Sequence, residues 1–404
     1  MKILQINAVN KIASTGRTTS EMAAFLRNAG HSCVVAYSVG PQENSAWEYQ
    51  IGSKTDAKMH GLLSRVSGKQ GYFSKGATRK LLDFTDRFAP DIVVLRNLHA
   101  NYIHLPMLLQ YLAKKDIATV AVLHDCWFYT GKCCHYTVAG CYKWQESCGN
   151  CPALKKYNKS WFFDKTAEML EDKKRLFGAI PRLAVVGVSD WLTNEAKKSP
   201  VFRSAEEIER IYNWVNTETF SPREPAALRQ QLDLQDKKVV LSVASGWTNE
   251  KGLDSVLQLA GRLQEKQKLL LVGHIPEGVD LPDNVLHIPQ TNNLEELVSY
   301  YSMADVLFQP SLEETFGKVS AEALSCGMPV VCFRSTANPE LVGENCGAVV
   351  PVGDMACLTE QITRIFETGK DFYKDRCRKF ALENFDLQQN MEQYLRLFER
   401  LIQK

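Results

Sequence analysis

Two glutamates in the C-terminal half of the chain are spaced so that both could hold one ligand. Glu314 lies in a polar loop just before a predicted helix, and Glu322 lies eight positions later, inside that helix. Carboxylates accept hydrogen bonds from hydroxyl groups, and sugars present such groups at separated points. Gly317 stands where the loop turns into the helix, so the backbone N–H groups of residues 315–319 could bind a diphosphate. The alternative is a pair of surface carboxylates at an ordinary helix N-terminus, which the helix dipole favours.

The elements that must position these residues alternate between short β-branched runs and helical stretches. This alternation predicts an α/β protein with parallel sheets covered on both faces. We interpret the chain as two doubly wound domains, residues 1–205 and 206–386, with a Cys-rich insertion at 126–160 and a terminal packing helix at 387–404. The predicted strands are 2–6, 33–37, 92–95, 119–123, 184–188, 239–244, 268–272, 285–288, 306–309, 330–333 and 348–350.

Composition excludes several classes of protein. A chain of 404 residues that is 45% hydrophobic and 23% charged is not mainly disordered, collagen-like or coiled-coil. Forty-eight Lys and Arg against 46 Asp and Glu give a net charge of +2, so we expect no nucleic-acid partner. No signal peptide and no uninterrupted apolar run of about 18 residues is evident, which predicts a cytoplasmic location.

The segment from Glu314 to Glu322 resembles the signature of the retaining family-4 glycosyltransferases of the GT-B fold, Glu-x7-Glu within E-x-F-G-x4-E. The resemblance covers both domains, more strongly the second, where it extends through 242–252, 271–273 and 331–340 to Gly347. It implies two Rossmann-like domains that face a central cleft, with a nucleotide diphosphate sugar bound by the C-terminal domain. It further implies transfer of a hexose-type sugar, with retention, to a hydroxyl of a glycan or lipid-linked glycan. No Asp-x-Asp stands in the donor segment, which fits catalysis that requires no cofactor.

The same resemblance implies roles for single residues of the C-terminal half. Glu314 would hold the hydroxyls of the donor sugar and Glu322 would hold the ribose, while backbone groups that line the donor would come from Thr315, Phe316 and Gly317. The family places an Arg and a Lys on the diphosphate in a Gly-Arg-x4-Lys-Gly pattern. This chain keeps Lys251 but has Gly246 where the Arg normally stands, so Lys251 acts alone or Lys318 supplies the second charge.

In the N-terminal half, polar residues follow three of the predicted strands. Gly16 lies in a long polar loop after the first strand and would bring backbone close to a substrate, with Arg17 beside it; the alternative is a flexible loop. His124 ends a buried strand at the inferred cleft and is the predicted catalytic residue of this domain, although a histidine at a strand end is often structural. We assign the acceptor side to Asn97, His99 and Asp125, with loop hydrogen bonding as the alternative.

Six of the twelve cysteines lie between Cys126 and Cys151. Cys148 and Cys151 form a C-x2-C pair, and with Cys133 or Cys134 and Cys141 they could surround a structural zinc, His135 being a substitute ligand. Packed reduced thiols and disulfides are the open alternatives. This stretch also resembles a subset of family-4 enzymes of capsule and exopolysaccharide assembly, which implies a role in cell-surface polysaccharide biosynthesis.

Residues 54–80 carry a local excess of positive charge. Asp56 is the one acid among the basic residues Lys54, Lys58, Arg65, Lys69, Lys75, Arg79 and Lys80. Apolar side chains are interleaved with them: Met59, Leu62, Leu63, Tyr72 and Phe73. A basic segment of this kind suits peripheral contact with the inner, anionic face of a membrane or a lipid-diphosphate acceptor. The alternative is a solvated excursion.

Two other classes of function use the same architecture. A sugar-nucleotide epimerase or hydrolase would need its own acid/base pair. A non-catalytic nucleotide-sugar binding protein would keep the pocket and lose the catalytic groups, against which the presence of His124 and Lys251 argues. Turnover assays with and without an acceptor separate the three.

Overall fold

Short apolar runs become the strands of two parallel sheets in the computed structural model, which describes residues 1–43, 45–224, 226–291 and 293–403. The chain divides into two compact units. The first comprises Met1–Ile211 and the chain from Met391 onward, and the second comprises Tyr212–Asn390. Each unit has its own sheet and its own core.

The first unit contains a seven-stranded sheet in the order β3-β2-β1-β4-β5-β6-β7. Its strands are β1 Lys2–Val9, β2 Ser32–Val39, β3 Glu48–Gln50, β4 Ile92–Leu95, β5 Ala118–Leu123, β6 Leu183–Gly187 and β7 Glu207–Arg210. Its helices are α1 Ala13–Asn28, α2 Lys54–Ser67, α3 Lys75–Phe88, α4 Leu105–Lys114, α5 Thr166–Phe177 and α6 Asp190–Lys198.

The second unit contains a six-stranded sheet in the order β10-β9-β8-β11-β12-β13. Its strands are β8 Lys238–Gly246, β9 Gln267–His274, β10 Val285–Ile288, β11 Val306–Gln309, β12 Val330–Phe333 and β13 Gly347–Val350. Its helices are α7 Ala226–Gln231, α8 Leu253–Ala260, α9 Leu294–Met303, α10 Lys318–Ser325, α11 Met355–Thr368 and α12 Lys370–Phe385. A last helix, α13 Leu387–Ile402, follows, and its residues from Met391 onward belong to the first unit.

Every strand that the sequence predicts is present, and the α/β class is confirmed. The central strands β4 and β5 are buried along their whole length because helices cover both faces of a parallel sheet. The prediction missed β3 and β7, which lie at the edges of their sheet. Both are short and polar, and their residues are half-buried or exposed, so they lack the apolar run that marks a central strand.

The terminal helix predicted at 387–404 forms over Leu387–Ile402, and Lys404 lies outside the described residues. The long polar loop predicted after the first strand is a correction: β1 continues to Val9 and α1 begins at Ala13, so the connection is short. None of the helices within the described ranges is long and apolar enough to cross a membrane.

The strand order of each sheet fixes where loops can meet a ligand. In the first sheet the order in which strands are added reverses between β1 and β4, and in the second it reverses between β8 and β11. The loops that follow such a pair of parallel strands diverge and leave a crevice at their carboxyl ends. The loops after β8 and β11 carry Lys251 and Glu314, and those after β4 and β5 carry Asn97, His99, His124 and Asp125.

Candidate functional site

The second unit brings together two residues that the sequence predicts in one site. Lys251, after β8, and Glu314, after β11, form an ion pair with 2.8 Å between Nζ and Oε2. The Lys251 side chain is 41% exposed and that of Glu314 is 18% exposed, so the pair lies at the surface of the loops. The Glu314 carboxylate raises the pKa of Lys251 above its ordinary value, against the lowering effect of burial. Lys251 therefore stays positively charged.

Close packing of the loops after β8 and β11 positions the Lys251–Glu314 ion pair. Gly252 has φ of +81°, and a Cβ built on it would lie 2.4 Å from the Pro310 carbonyl oxygen. Only glycine fits this left-handed position against another backbone. The Leu312 amide also donates to the Glu250 carbonyl at 2.9 Å. The β8 loop and the β11 loop are thus held together by backbone on both sides of Lys251.

A third loop, after β12, makes hydrogen bonds to the backbone of Glu314. The Glu314 amide donates to Thr336 Oγ1 at 2.8 Å, and its carbonyl accepts from the Ala337 amide at 3.2 Å. The buried Asn338 side chain donates through Nδ2 to the Ser311 carbonyl at 2.9 Å. Thr336 itself is in the left-handed region, with φ of 45°. Three loops from adjacent strands therefore fix the backbone around one carboxylate.

The turn into α10 has the geometry of an anion site. Gly317 is the N-cap of α10 with φ of +86°, and among the described residues no side chain caps this helix. Thr315, Phe316 and Gly317 are buried, and Lys318 is half-buried at the first helical position. The first amide groups of a helix lack partners within it and attract negative charge. A phosphate at this end would lie on the same side of the sheet as Lys251, since both follow carboxyl ends of parallel strands.

Glu322 lies inside α10 and is only 3% exposed. Its Oε2 accepts a hydrogen bond of 2.9 Å from the hydroxyl of Tyr301, a fully buried residue of α9. The structure thus separates the two glutamates by environment: Glu314 is in a loop beside a cation, and Glu322 is in the protein interior beside a phenol. A role for Glu322 in binding ribose stays a prediction.

Gly246, which replaces the arginine of the resembling enzymes, is the last residue of β8. A Cβ built on it meets nothing within 4 Å, and its φ is not in the left-handed region. The position therefore has room for a side chain, and the missing charge is not a consequence of crowding.

In the first unit, His124 is half-buried at the end of β5 and lies beside Arg96. The Arg96 guanidinium is fully buried, and its Nη1 contacts His124 Nε2 at 3.2 Å and Thr18 Oγ1 at 3.1 Å. Because a guanidinium only donates, Nε2 accepts and the imidazole proton is on Nδ1. Burial lowers the pKa of Arg96 to about 10. The structure thus joins the predicted catalytic histidine to an arginine that the sequence did not single out.

The acceptor-side residues form a second group in this unit. His99 Nε2 lies 2.8 Å from Asp125 Oδ2, and the Trp127 amide donates to Asp125 Oδ1 at 2.8 Å. Burial would raise the pKa of Asp125, but His99 and the Trp127 amide outweigh it and lower this pKa to about 2. Asn97 contributes backbone here: its amide donates to Asn7 Oδ1, and its carbonyl accepts from the Tyr102 hydroxyl.

Gly16 and Arg17 lie inside α1 rather than in a loop. A Cβ on Gly16 would be 3.2 Å from the backbone of Asn10 and Lys11, and its carbonyl accepts from the Lys11 amide at 3.1 Å. The close approach that the sequence predicts is therefore made by the chain's own β1–α1 turn. A ligand contact at Gly16 stays a prediction.

The cysteine cluster is brought together in part. Four of the predicted ligands line one small cavity, together with Lys132 and Trp144: Cys133, Cys141, Cys148 and Cys151. All twelve cysteines are free thiols, so no disulfide joins the cluster. A tetrahedral zinc with Zn–S distances of about 2.3 Å needs its sulfurs about 4 Å apart. Among the described residues, only His99, Asp125 and Cys134 hold three possible ligand atoms within 4.8 Å of one another.

Solved structures show which fold these two units form. The chain is similar to sucrose-phosphate synthase from Thermosynechococcus elongatus, with a TM-score of 0.72 at 16% identity over 99% of this chain and 98% of that one. It is also similar to HepE of Anabaena in complex with UDP, with a TM-score of 0.68 at 16% identity over 99% and 100% of the two chains. The chain has the GT-B glycosyltransferase fold. At this identity the likeness shows the fold alone.

The family comparison matches the part of this GT-B chain that carries the Lys251–Glu314 pair. Residues 225–383 match the family described as Glycosyl transferases group 1. The chain is 25% identical, over 233 residues, to the N-acetyl-alpha-D-glucosaminyl L-malate synthase of Bacillus anthracis. That similarity covers 54% of this chain and 60% of the relative, so the chain spans little more than half the length of the curated relative it matches.

Sequence reasoning missed the residues that hold the predicted ones in place. Arg96 had a signal, since it is a charged residue directly after a four-residue apolar strand. Asn338 begins an Asn-Pro pair, which marks a turn after β12, and Thr336 lies two residues before it. Tyr301 had none, because a tyrosine on a helix is most often part of a core.

Proposed function

We propose that this protein is a retaining glycosyltransferase of the hexosyltransferase type. It moves a sugar from a nucleotide diphosphate donor to a hydroxyl of a glycan or lipid-linked glycan, in cell-surface polysaccharide biosynthesis. The observation that carries the proposal is the Lys251–Glu314 pair between the loops after β8 and β11, next to the uncapped N-terminus of α10.

This arrangement suits departure of a nucleoside diphosphate. Negative charge develops on the diphosphate as the bond to the sugar breaks, and a positioned ammonium group and helix N-terminus stabilise it. The Glu314 carboxylate keeps Lys251 charged and in place through one oxygen, while the carboxylate retains capacity to accept from sugar hydroxyls. Thr315, Phe316, Gly317 and Lys318 supply the adjoining backbone and a second charge. Glu322, hydrogen-bonded to Tyr301, is assigned to the ribose.

The first unit supplies the acceptor side in this proposal. Asn97, His99 and Asp125 are the assigned acceptor contacts, Gly16 a donor contact, and His124 the catalytic group that donates to the transferred sugar. With no carboxylate assigned as a nucleophile, we infer that the acceptor hydroxyl attacks from the face that the diphosphate leaves, and that a phosphate oxygen takes the hydroxyl proton. Retention is checked from the anomeric configuration of the product by NMR.

Donor binding is the first test. The UDP complex of the similar HepE structure makes UDP-sugars the first choice, followed by GDP- and ADP-sugars. A ligand at 100 times its dissociation constant stabilises the protein by about 2.7 kcal/mol, which a thermal-shift assay detects. We expect one nucleotide class to raise the midpoint of the wild type, and Lys251→Ala to lose most of the shift. No shift with any nucleotide sugar would contradict the donor site.

Turnover then separates transfer from its alternatives. Loss of the donor sugar only when an acceptor is added supports transfer. Conversion without an acceptor identifies an epimerase or a hydrolase, and binding without any conversion identifies a binding protein. Either of the last two outcomes would overturn the proposal.

We further propose that transfer needs no metal cofactor, because Lys251 and the α10 N-terminus supply the positive charge that a diphosphate requires. Activity that survives a chelator supports this, and activity restored only by a divalent cation contradicts it.

A structural zinc in the cavity of Cys133, Cys141, Cys148 and Cys151 is a separate proposal, which would require the four sulfurs to approach one another. Metal analysis of the purified protein and of Cys148→Ser tests it.

We place the protein in the cytoplasm, with peripheral contact to the membrane through residues 54–80.

A further inference from the structure

The helix α2 presents an apolar stripe to solvent. Its exposed large side chains are Met59, Leu62, Leu63 and Val66, at positions i, i+3, i+4 and i+7, which lie on one face of a helix. Met59 is 54% exposed. A stripe with this spacing normally packs against a protein core, so its exposure indicates a surface that something else covers.

The face of α2 that turns inward is small and polar instead. The buried residues of the helix are His60, Gly61 and Ser64. His60 Nδ1 lies 2.8 Å from Ser74 Oγ, and a Cβ on Gly61 would meet the Asn101 side chain at 3.4 Å. Close approach through glycine and this hydrogen bond fix the rotation of the helix, and that rotation leaves the apolar stripe outside.

A second apolar segment lies against the C-terminal end of α2. Trp161, Phe162 and Phe163 are all exposed, and Phe162 reaches 68%. The Trp161 amide donates to the Arg65 carbonyl at 2.7 Å, which ties this segment to the helix. Gly68, with φ of +76°, sits so close that a Cβ there would be 2.2 Å from the Phe163 carbonyl oxygen. Residues far apart in sequence thus form one apolar surface, named here the α2–aromatic surface: Met59, Leu62, Leu63, Val66, Trp161, Phe162 and Phe163.

Positive charge borders this surface. Lys58 and Arg65 flank Leu62 at helical spacing, and both are exposed. No ion pair of either is found in the part of the chain that the structure describes. Lys69, which follows the end of α2, is neutralised by an ion pair with Glu168.

Two of the aromatic residues that the sequence placed in this basic segment turn away from it. The Tyr72 hydroxyl donates to Asp172 at 2.6 Å, and the Phe73 ring packs edge-on against His60 with centroids 5.4 Å apart. Trp161, Phe162 and Phe163 take their place at the surface. The basic segment therefore obtains its exposed aromatics from a different part of the chain.

We propose that the α2–aromatic surface docks the first unit onto an anionic lipid bilayer. Leu, Met, Trp and Phe side chains on one face with basic residues at its border are the composition that lies in the interface between headgroups and acyl chains. The basic border favours an anionic leaflet over a neutral one. This inference rests on the membrane contact proposed above for residues 54–80 and names the surface that makes it, and it is independent of the donor site.

Vesicle sedimentation of the full chain tests the proposal. We expect the wild type to sediment with phosphatidylcholine vesicles that contain about one third phosphatidylglycerol, and much less with phosphatidylcholine alone. The double variant Leu62→Ser/Phe162→Ser should bind about tenfold more weakly, since it removes two interfacial apolar groups. Val352→Ser/Phe372→Ser is the matched control, because it changes two exposed apolar residues of the second unit and should bind as the wild type does.

A charge variant tests the border. Lys58→Glu/Arg65→Glu should abolish the preference for anionic vesicles, whereas the exposed pair Arg262→Glu/Lys266→Glu of the second unit should keep it. All four substituted positions are exposed, so thermal midpoints should match the wild type.

Two results would overturn the proposal. One is equal sedimentation of the wild type and Leu62→Ser/Phe162→Ser. The other is that the wild type and the variant both fail to bind vesicles, while the wild type self-associates without lipid and the variant is monomeric. That result would make the surface an interface between copies of the chain. Donor binding measured without vesicles on the same variants keeps the two proposals apart, because failure of either leaves the other intact.

Discussion

Each unit places a cation after a strand that borders the point where the strand order of its sheet reverses, and the two cations lie in different environments. In the second unit Lys251 follows β8, is 41% exposed and pairs with a loop carboxylate. In the first unit Arg96 follows β4, is fully buried and contacts Thr18 and His124. The sheets share a parallel, doubly wound order, so the topology alone does not decide what the cation does.

The difference lies in whether the charge reaches the surface of the loops. A buried guanidinium makes its hydrogen bonds to the protein, where it fixes the position and tautomer of a histidine. An ammonium group at the surface, held by one carboxylate, can contact a ligand without leaving an unpaired charge in the interior. We therefore expect substitutions at Lys251 to change binding and catalysis, and substitutions at Arg96 to change stability.

The largest expected effect is on transfer by Lys251→Ala. Loss of a group that stabilises a developing charge typically lowers kcat by about a hundredfold or more. The pair is partly exposed, so the thermal midpoint should change little. Steady-state rates with the donor identified by thermal shift measure the effect, and Lys266→Ala is the control. A rate within about twofold of the wild type would remove Lys251 from the site.

Arg96→Met should act on the fold of the first unit instead. It leaves Thr18 and His124 without a buried charged donor, which we expect to cost about 2–3 kcal/mol of unfolding free energy. Thermal unfolding of Arg96→Met and of Lys251→Ala in parallel gives the contrast, with a clearly lower midpoint for the former. If both midpoints match the wild type, burial does not give Arg96 the larger role in stability.

Acid stability sharpens the comparison within the first unit. The pKa of Asp125 falls from its ordinary value of 3.8 to about 2 in the folded state. A depressed carboxyl pKa stabilises the fold above the unfolded value, and this contribution is lost as the pH falls through the folded value. It amounts to about 2 kcal/mol, lost between about pH 5 and pH 2. Urea midpoints across this window should depend less on pH in Asp125→Asn than in the wild type or in the exposed control Asp83→Asn.

The smallest expected effect is a gain. Gly246 has open space around it, so Gly246→Arg should add a guanidinium charge to the loop that carries the Lys251 ammonium group. A charge-assisted hydrogen bond to a diphosphate would tighten donor binding by about tenfold. Calorimetric titration measures it, and Gly246→Ala separates the charge from the change in backbone freedom. Weaker binding by both variants would mean that glycine itself is required there.

Local patterns determined most of the fold. Apolar runs marked the central strands because a strand buried on both faces carries apolar residues along its length. The edge strands β3 and β7 were missed for the same reason, since half-exposed strands carry mixed residues. The sequence indicates a domain boundary at residues 205/206, and the structure divides the two compact units after Ile211.

The site was partly determined by sequence. The spacing of Glu314, Gly317 and Glu322 within one strand–loop–helix segment is local, so it could be read directly. The contact of Lys251 with Glu314 joins residues 63 positions apart, and the environment of Glu322 depends on Tyr301 of another helix. Both contacts depend on the order of the strands in the sheet, which places loops and helices from distant parts of the sequence side by side.

Orientation was decided by tertiary structure alone. The stripe from Met59 to Val66 predicts an amphipathic helix, but the sequence does not state which face packs inward. In the structure His60 contacts Ser74, directly before α3, and Gly61 lies against the Asn101 side chain, so the stripe faces solvent. Periodicity is a property of one helix, whereas the choice of its buried face depends on close packing with neighbours that the local sequence does not contain.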